Sequence, residues 1–114
     1  MEWNKLESVD QLDLIDAESK EQDVLIFKHS TRCSISSAAL ARLERSWNAS
    51  VPAKVYYLDL LEFRPVSNAI AARYGVEHQS PQALLIRNGA CIYHESHMGI
   101  SVEDMQHAQS SHSK

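Results

Sequence analysis

The 114-residue chain is predicted to fold as an α/β protein, with a mixed central sheet of about four strands and helices on both faces. Three observations predict it. Apolar runs too short for helices alternate with stretches whose apolar residues recur at helical spacing, which implies parallel strands joined by crossovers. The last two apolar runs are separated by Asn88-Gly89, the strongest short signal for an antiparallel hairpin. No internal repeat or linker interrupts the order helix, strand, helix, strand, helix, strand, strand, helix, so one domain over residues 1–114 is expected.

Taken in order, Val9, Leu12 and Ile15 recur at helical spacing from Ser8 to about Ser19, and Ser8 with Gln11 forms a capping-box pattern. Val24-Leu25-Ile26-Phe27 is bounded by charged residues and predicts a strand over 23–29, buried on both faces. After the polar stretch His29 to Ser34, Leu40, Leu43 and Trp47 mark a helix that begins close to Cys33 and ends near Asn48. Val55 to Leu60, rich in β-branched and aromatic residues just after Pro52, is the next strand. Pro65 suits a first helical turn, Val66, Ile70 and Tyr74 line one face, and Gly75 stands where a left-handed cap is wanted. Pro81 opens the strand Ala83 to Ile86, and Cys91 to Tyr93 returns after the turn. Ser101 with Asp104 caps a final helix carrying Val102 and Met105, and a polar tail is expected to fray from about Gln109.

Composition excludes several classes of function. At 44% hydrophobic and 23% charged residues the chain is ordinary for a globular protein, and a net charge of −4 opposes nucleic-acid binding through a strong basic field. No apolar run approaches the roughly 20 residues that span a bilayer, and the start MEWNKLESVDQ lacks the apolar core of an export signal. Two cysteines, Cys33 and Cys91, are too few for a disulfide scaffold. A cytoplasmic protein without membrane contact, monomeric, is the expectation.

Cys33 lies where a buried strand passes into a helix. The thiolate is the nucleophile in disulfide exchange, and a helix N-terminus favours an anion through its unpaired N–H groups and dipole. Arg32 beside it, with Lys28 and His29 upstream, adds positive charge, so the Cys33 thiol is expected below its ordinary pKa of about 8.5. Its polar neighbours Thr31, Arg32, Ser34 and Ser36 argue against an inert core cysteine. Ser36 completes a C-x-x-S motif: a hydroxyl cannot resolve a mixed disulfide, so exchange here must be monothiol and finished by an outside thiol. Ser36 either donates a hydrogen bond to the Cys33 thiolate or caps the helix.

Strand, C-x-x-S at a helix start, helix, strand, helix, then Ser80-Pro81 opening a hairpin turned at Asn88-Gly89, together resemble the thioredoxin fold over nearly the whole chain. That resemblance implies a cis Pro81 beside the cysteine, with the backbone of Ser80 as a dock for an extended substrate segment. More narrowly, Lys28 to Ser36, Glu77 to Gln82 and His94 to His97 are similar to the monothiol bacilliredoxins. The similarity implies a bacterial cytoplasmic protein that removes bacillithiol, a low-molecular-weight thiol, from bacillithiolated proteins. Bacillithiol is then a co-substrate, with no tightly bound cofactor. Because that thiol carries carboxylates, Arg32, Lys28, His29 and His97 are candidates to bind it, Arg32 best by its planar fork.

The remaining histidines and Cys91 carry weaker signals. Cys91-Ile92-Tyr93-His94 has a ligand-like spacing, but on a regular strand Cys91 and His94 point to opposite faces, so no metal is expected. His97 is expected in the loop between hairpin and last helix, which the resemblance to thioredoxin-like folds implies borders Cys33, where it could stabilise the thiolate or protonate a leaving thiol. His78, His107 and His112 read as surface residues. Cys91 reads as a strand thiol without a role, or as a resolving partner if its Cα comes within about 7 Å of that of Cys33. Trp3, Trp47, Tyr56, Tyr57 and Tyr74 read as core or core-edge aromatics. Two rivals to the redox reading are a peptide-binding adaptor of the same fold and a glutathione-linked, glutaredoxin-like protein, although Arg32 and the missing glycine depart from a cluster-binding C-G-F-S motif.

Overall fold

β2 (Asp23–His29) is the axis of the fold, and all seven of its residues are buried. Because side chains alternate across a strand, Val24 and Ile26 enter one apolar cluster while Leu25 and Phe27 enter another. The computed structural model describes residues 2–47 and 53–111. Among these, β1 (Asn4–Lys5), β2, β3 (Ala53–Asp59), β4 (Gln82–Arg87) and β5 (Ala90–Ser96) form one sheet in the order β1-β3-β2-β4-β5. β1, β3 and β2 run parallel, and β4 is antiparallel to both β2 and β5.

Helices cover both faces, as predicted. α1 (Gln11–Glu18) and α3 (Arg64–Tyr74) send Leu12, Ile15, Val66 and Ile70 onto Val24, Ile26, Leu58 and Leu84. α2 (Ser34–Ser46) and α4 (Val102–Ser111) send Ala39, Leu43, Val102 and Met105 onto Leu25, Phe27 and Leu85. Removing each of the larger of these side chains, the Val, Leu, Ile, Phe and Met residues, from water is worth about 1.5–3 kcal/mol, and all of them are buried.

The local signals hold at most boundaries. Gln11 Oε1 reaches back to the N–H groups of Glu7 and Ser8, half of a capping box, and helical residues begin at Gln11. Gly75 ends α3 at φ 65°, Asn88 and Gly89 turn the hairpin at φ 53° and 73°, and Ser101 Oγ accepts the Asp104 N–H. Asn48, Pro52 and the tail residues His112, Ser113 and Lys114 lie outside the described residues.

Three expectations need correction. The sheet has five strands: Asn4 and Lys5 pair with Tyr56 and Tyr57, and these two exposed polar residues carry no apolar alternation that could announce them. The tail does not fray at Gln109, because α4 continues to Ser111 and Gln109 is tied to Asp23 and Arg87, far from it in sequence. There Arg87 makes a two-pronged pair with Asp23, Nε to Oδ1 and Nη2 to Oδ2, both 2.7 Å, while Gln109 Nε2 donates to Asp23 Oδ2 and the Gln109 carbonyl accepts from Arg87 Nη1. Third, β5 is irregular: Ile86 pairs with Cys91 but Leu85 with Tyr93, so Ile92 is an extra residue in a bulge. The bulge resets the alternation and places Cys91 and His94 on the same face, not on opposite ones.

Asp23→Ala should lower stability by about 2 kcal/mol in urea unfolding, below the 3–5 typical of a fully buried pair, since part of the Arg87 side chain still reaches water. Amide exchange should rise first in the last turn of α4; an unchanged midpoint would remove this anchor from the account.

Candidate active site around Cys33

The carboxyl end of β2 and the start of α2 bring the site together. β2 ends at His29; the Cys33 N–H donates to the Ser30 carbonyl at 3.1 Å, closing a turn over Thr31 and Arg32. Cys33 is the N-cap of α2 with extended backbone (φ −107°, ψ 120°), and its carbonyl accepts the Ser37 N–H. The half-buried thiol thus stands at the end of a 13-residue helix whose first N–H groups are unpaired within the helix. Thr31 and Arg32 are exposed on the turn, and Arg32 makes no ion pair with a described residue.

β4 supplies the opposite wall. Lys28 pairs with Gln82, so continuing the antiparallel register sets Pro81 against His29 and Ser80 against Ser30. The Ser80-Pro81 bond is cis and Pro81 is buried. His97 opens the single 3-10 turn His97–Gly99, has φ 56°, and donates its backbone N–H to the Pro81 carbonyl at 3.0 Å. Its exposed ring therefore borders the cis proline, in the connection where the sequence located it. Arg42 of α2 holds the turn by donating to the Met98 carbonyl at 2.9 Å.

Ser36 is fully buried, and its hydroxyl is engaged away from Cys33. Ser36 Oγ accepts the Ser30 N–H at 3.0 Å and lies 2.7 Å from His29 Nδ1. Of the two roles expected for Ser36, neither a helix cap nor a hydrogen bond to Cys33 is what the structure contains. The His29 ring sits between those of Phe27 and Tyr57, at 6.1 and 5.5 Å between centroids. Burial pushes its pKa down against the attraction of Asp59, so the ring is neutral at pH 7.

Lys28 does not join the cations around Cys33. The alternation of β2 turns it to the face of α1 and α3, where Nζ donates to the Ser67 carbonyl at 3.3 Å and lies 3.3 Å from His78 Nδ1. It is fully buried with no carboxylate beside it, and burial pushes its pKa down to about 8. His78 is no free surface residue either: Ser67 Oγ is 3.2 Å from the same ring nitrogen, and burial followed by the charges of Lys28 and Arg64 pushes its pKa down. With Lys28 and His29 buried, Arg32 and His97 remain as exposed candidates for an anionic ligand.

Cys91 is no resolving partner. It packs in the cluster of α1 and α3 and pairs through Ile86 with Val24, five residues before His29, which is about 16 Å along the strand and on the other face from α2. Burial pushes its thiol pKa up, and its Sγ lies 3.1 Å from the Tyr93 carbonyl. Among the described residues no group of three or more His, Cys, Asp or Glu side chains is placed to hold a metal ion.

Comparison with known proteins places this geometry. A solved structure described as a candidate oxidoreductase with a thioredoxin fold superposes with a TM-score of 0.80 at 32% identity, covering 92% of this chain and 91% of the other. Thioredoxins from Trypanosoma brucei brucei (TM-score 0.74, 13% identity, 96% and 89% coverage) and Malassezia sympodialis (0.72, 17%, 99% and 92%) share the fold. The family profile described as monothiol bacilliredoxin BrxC matches residues 4–105. Fold and family together indicate thiol redox chemistry. With a match that takes in Cys33, Ser36 and the cis Ser80-Pro81 bond in one span, the chain belongs to the monothiol bacilliredoxin family.

Proposed function

We propose that this protein removes bacillithiol from protein mixed disulfides through Cys33. The observation that carries the proposal is the position of Cys33: at the open N-terminus of α2, in the turn that follows the end of β2, which the register sets against the cis Ser80-Pro81 bond, with a buried serine where a resolving thiol would have to stand. The Cys33 thiolate attacks the bacillithiol sulfur of the mixed disulfide, and the repaired protein thiolate leaves. A second bacillithiol thiolate then attacks that sulfur, releasing the Cys33 thiolate and the small-molecule disulfide, so the electron count closes without a second protein thiol. Arg32, exposed one residue before Cys33, is the proposed contact for a ligand carboxylate, with Thr31 and His97 flanking it, and the Ser80 backbone is the proposed dock for the protein substrate.

The test is to mix the reduced protein with a bacillithiolated model protein and, separately, a glutathionylated one, following intact mass. The bacillithiol mass should move to this chain faster than glutathione does. Equal or faster uptake of glutathione would reassign the thiol, and transfer from neither donor would leave the peptide-binding reading in its place. Arg32→Ala should slow the bacillithiol reaction about fivefold, the worth of one charge-assisted hydrogen bond partly exposed to water, while changing alkylation of Cys33 by a neutral reagent much less.

A further inference from the structure

Lys28 breaks the pattern of its own strand. β2 sends Val24 and Ile26 into the cluster beneath α1 and α3, and the next position on that face is a lysine, fully buried. An apolar side chain there would continue the stripe without the cost of a desolvated charge, and such departures from the local rule gather at functional sites. The contacts of the ammonium show what it holds. Nζ donates to the Ser67 carbonyl of α3 at 3.3 Å and lies 3.3 Å from His78 Nδ1. At pH 7 the lysine is charged and has only donors, so Nδ1 of the neutral His78 ring accepts from it and the ring proton lies on Nε2.

His78 belongs to the stretch 76–81, which runs from the Gly75 cap of α3 to the cis Ser80-Pro81 bond. The ends of this stretch are fixed through the backbone: the Val76 N–H donates to the Ala71 carbonyl at 3.1 Å, and the Pro81 carbonyl accepts the His97 N–H. Between them, Gln82 Nε2 donates to the Glu77 carbonyl at 3.0 Å, and Lys28 holds the His78 ring, with Ser67 Oγ 3.2 Å from the same nitrogen. Lys28 and Gln82 are partners in the β2-β4 register, so one rung of the sheet anchors the approach to the cis proline. The buried Ser80 hydroxyl has no hydrogen-bond partner among the described residues, and Ser80 is placed by its neighbours. We infer that Lys28 is a positioning residue which, through His78, fixes the Ser80 backbone for a docking protein segment and so favours protein mixed disulfides over small-molecule disulfides. The inference rests on the docking role proposed for Ser80. Lys28 takes no part in the exchange itself, because it lies on the face of α1 and α3 and Cys33 opens α2 on the other. Only a protein donor brings a polypeptide to Ser80, whereas the sulfur that Cys33 attacks is that of bacillithiol in either kind of donor.

Single-turnover uptake tests the inference, read by intact mass at rising concentrations of a bacillithiolated model protein and, separately, of the disulfide of bacillithiol. Lys28→Met should raise the half-saturating concentration of the protein donor about tenfold, the loss expected for a hydrogen bond to a charged group, and leave the limiting rate unchanged. With the small disulfide it should match the unaltered protein. Since removing the buried charge is expected to stabilise the fold, unfolding cannot imitate this pattern. His78→Ala should reproduce the loss, and His78→Asn, whose side-chain oxygen stands near the place of Nδ1, should recover most of it. The double variant Lys28→Met with His78→Ala should be no worse than either alone. An unchanged half-saturating concentration in Lys28→Met, an equal loss with both donors, or additive losses in the double variant overturn the inference. Transfer from neither donor to the unaltered protein would instead overturn the redox reading of Cys33, and that result is in hand before any variant is compared.

Discussion

A Cys33→Ser variant is expected to lose bacillithiol uptake by roughly a thousandfold or more, the scale on which removing a nucleophile acts when no neighbouring group can replace it. The matching control is Cys91→Ser, which should retain full transfer. Cys91 is the sole other thiol of the chain, and three features disqualify it as a substitute. It packs beneath α1 and α3, burial holds it protonated at neutral pH, and it lies a strand length from the Ser80-Pro81 wall. Intact-mass spectra of the two variants after mixing with the bacillithiolated donor decide the matter. Uptake surviving in Cys33→Ser would mean that the reacting sulfur is elsewhere, and loss in Cys91→Ser would mean that the sheet interior takes part.

Lys28→Met carries the largest expected effect on stability, with a sign set by proton linkage. The folded protein holds the Lys28 amine at a pKa of about 8, whereas the unfolded chain holds it near its ordinary 10.5. Between those values the unfolded state binds the extra proton, so this residue makes stability rise with pH across the window. Below the folded value the full penalty applies, because a charged ammonium must be kept away from water with only the Ser67 carbonyl and a ring nitrogen to receive it. At about 1.4 kcal/mol per pH unit the change across the window amounts to about 3 kcal/mol. The methionine variant has no such group. Urea unfolding at neutral pH should show it the more stable protein, and the difference should move by about 3 kcal/mol in favour of the lysine form by about pH 11. Parallel profiles for the two proteins would show that the amine is solvated in the folded state.

Much of the site was legible because its parts are local. A thiol at a strand-to-helix junction, a serine three residues on, an X-Pro bond before an apolar strand and a left-handed Asn-Gly turn all follow from short stretches of chain, and the structure contains each. What escaped depends on partners distant in sequence. Lys28 and His29 looked like charge around Cys33, yet the alternation already present in Val24 to His29 turns Lys28 away from α2 and buries His29 against it. The contact of His29 with Ser36 spans seven residues and becomes visible only when β2 and α2 are docked. The bulge at Ile92 is set by how β5 meets β4, and nothing in Cys91 to His94 alone announces it. Gln109 looked like tail because its anchors, Asp23 and Arg87, come from the middle of the chain.

The same bulge bears on how this protein behaves in crowded solution. A sheet ends in two rows of unpaired backbone groups, and a long flat border of that kind recruits strands from other molecules. Here one border is β1, only two residues long and bearing the charge of Lys5. The other is β5, kinked at Ile92 and carrying His94 and Glu95 exposed beyond the kink. Neither offers a straight apolar template, so the sheet closes at five strands and the chain resists edge-to-edge aggregation without a covering partner.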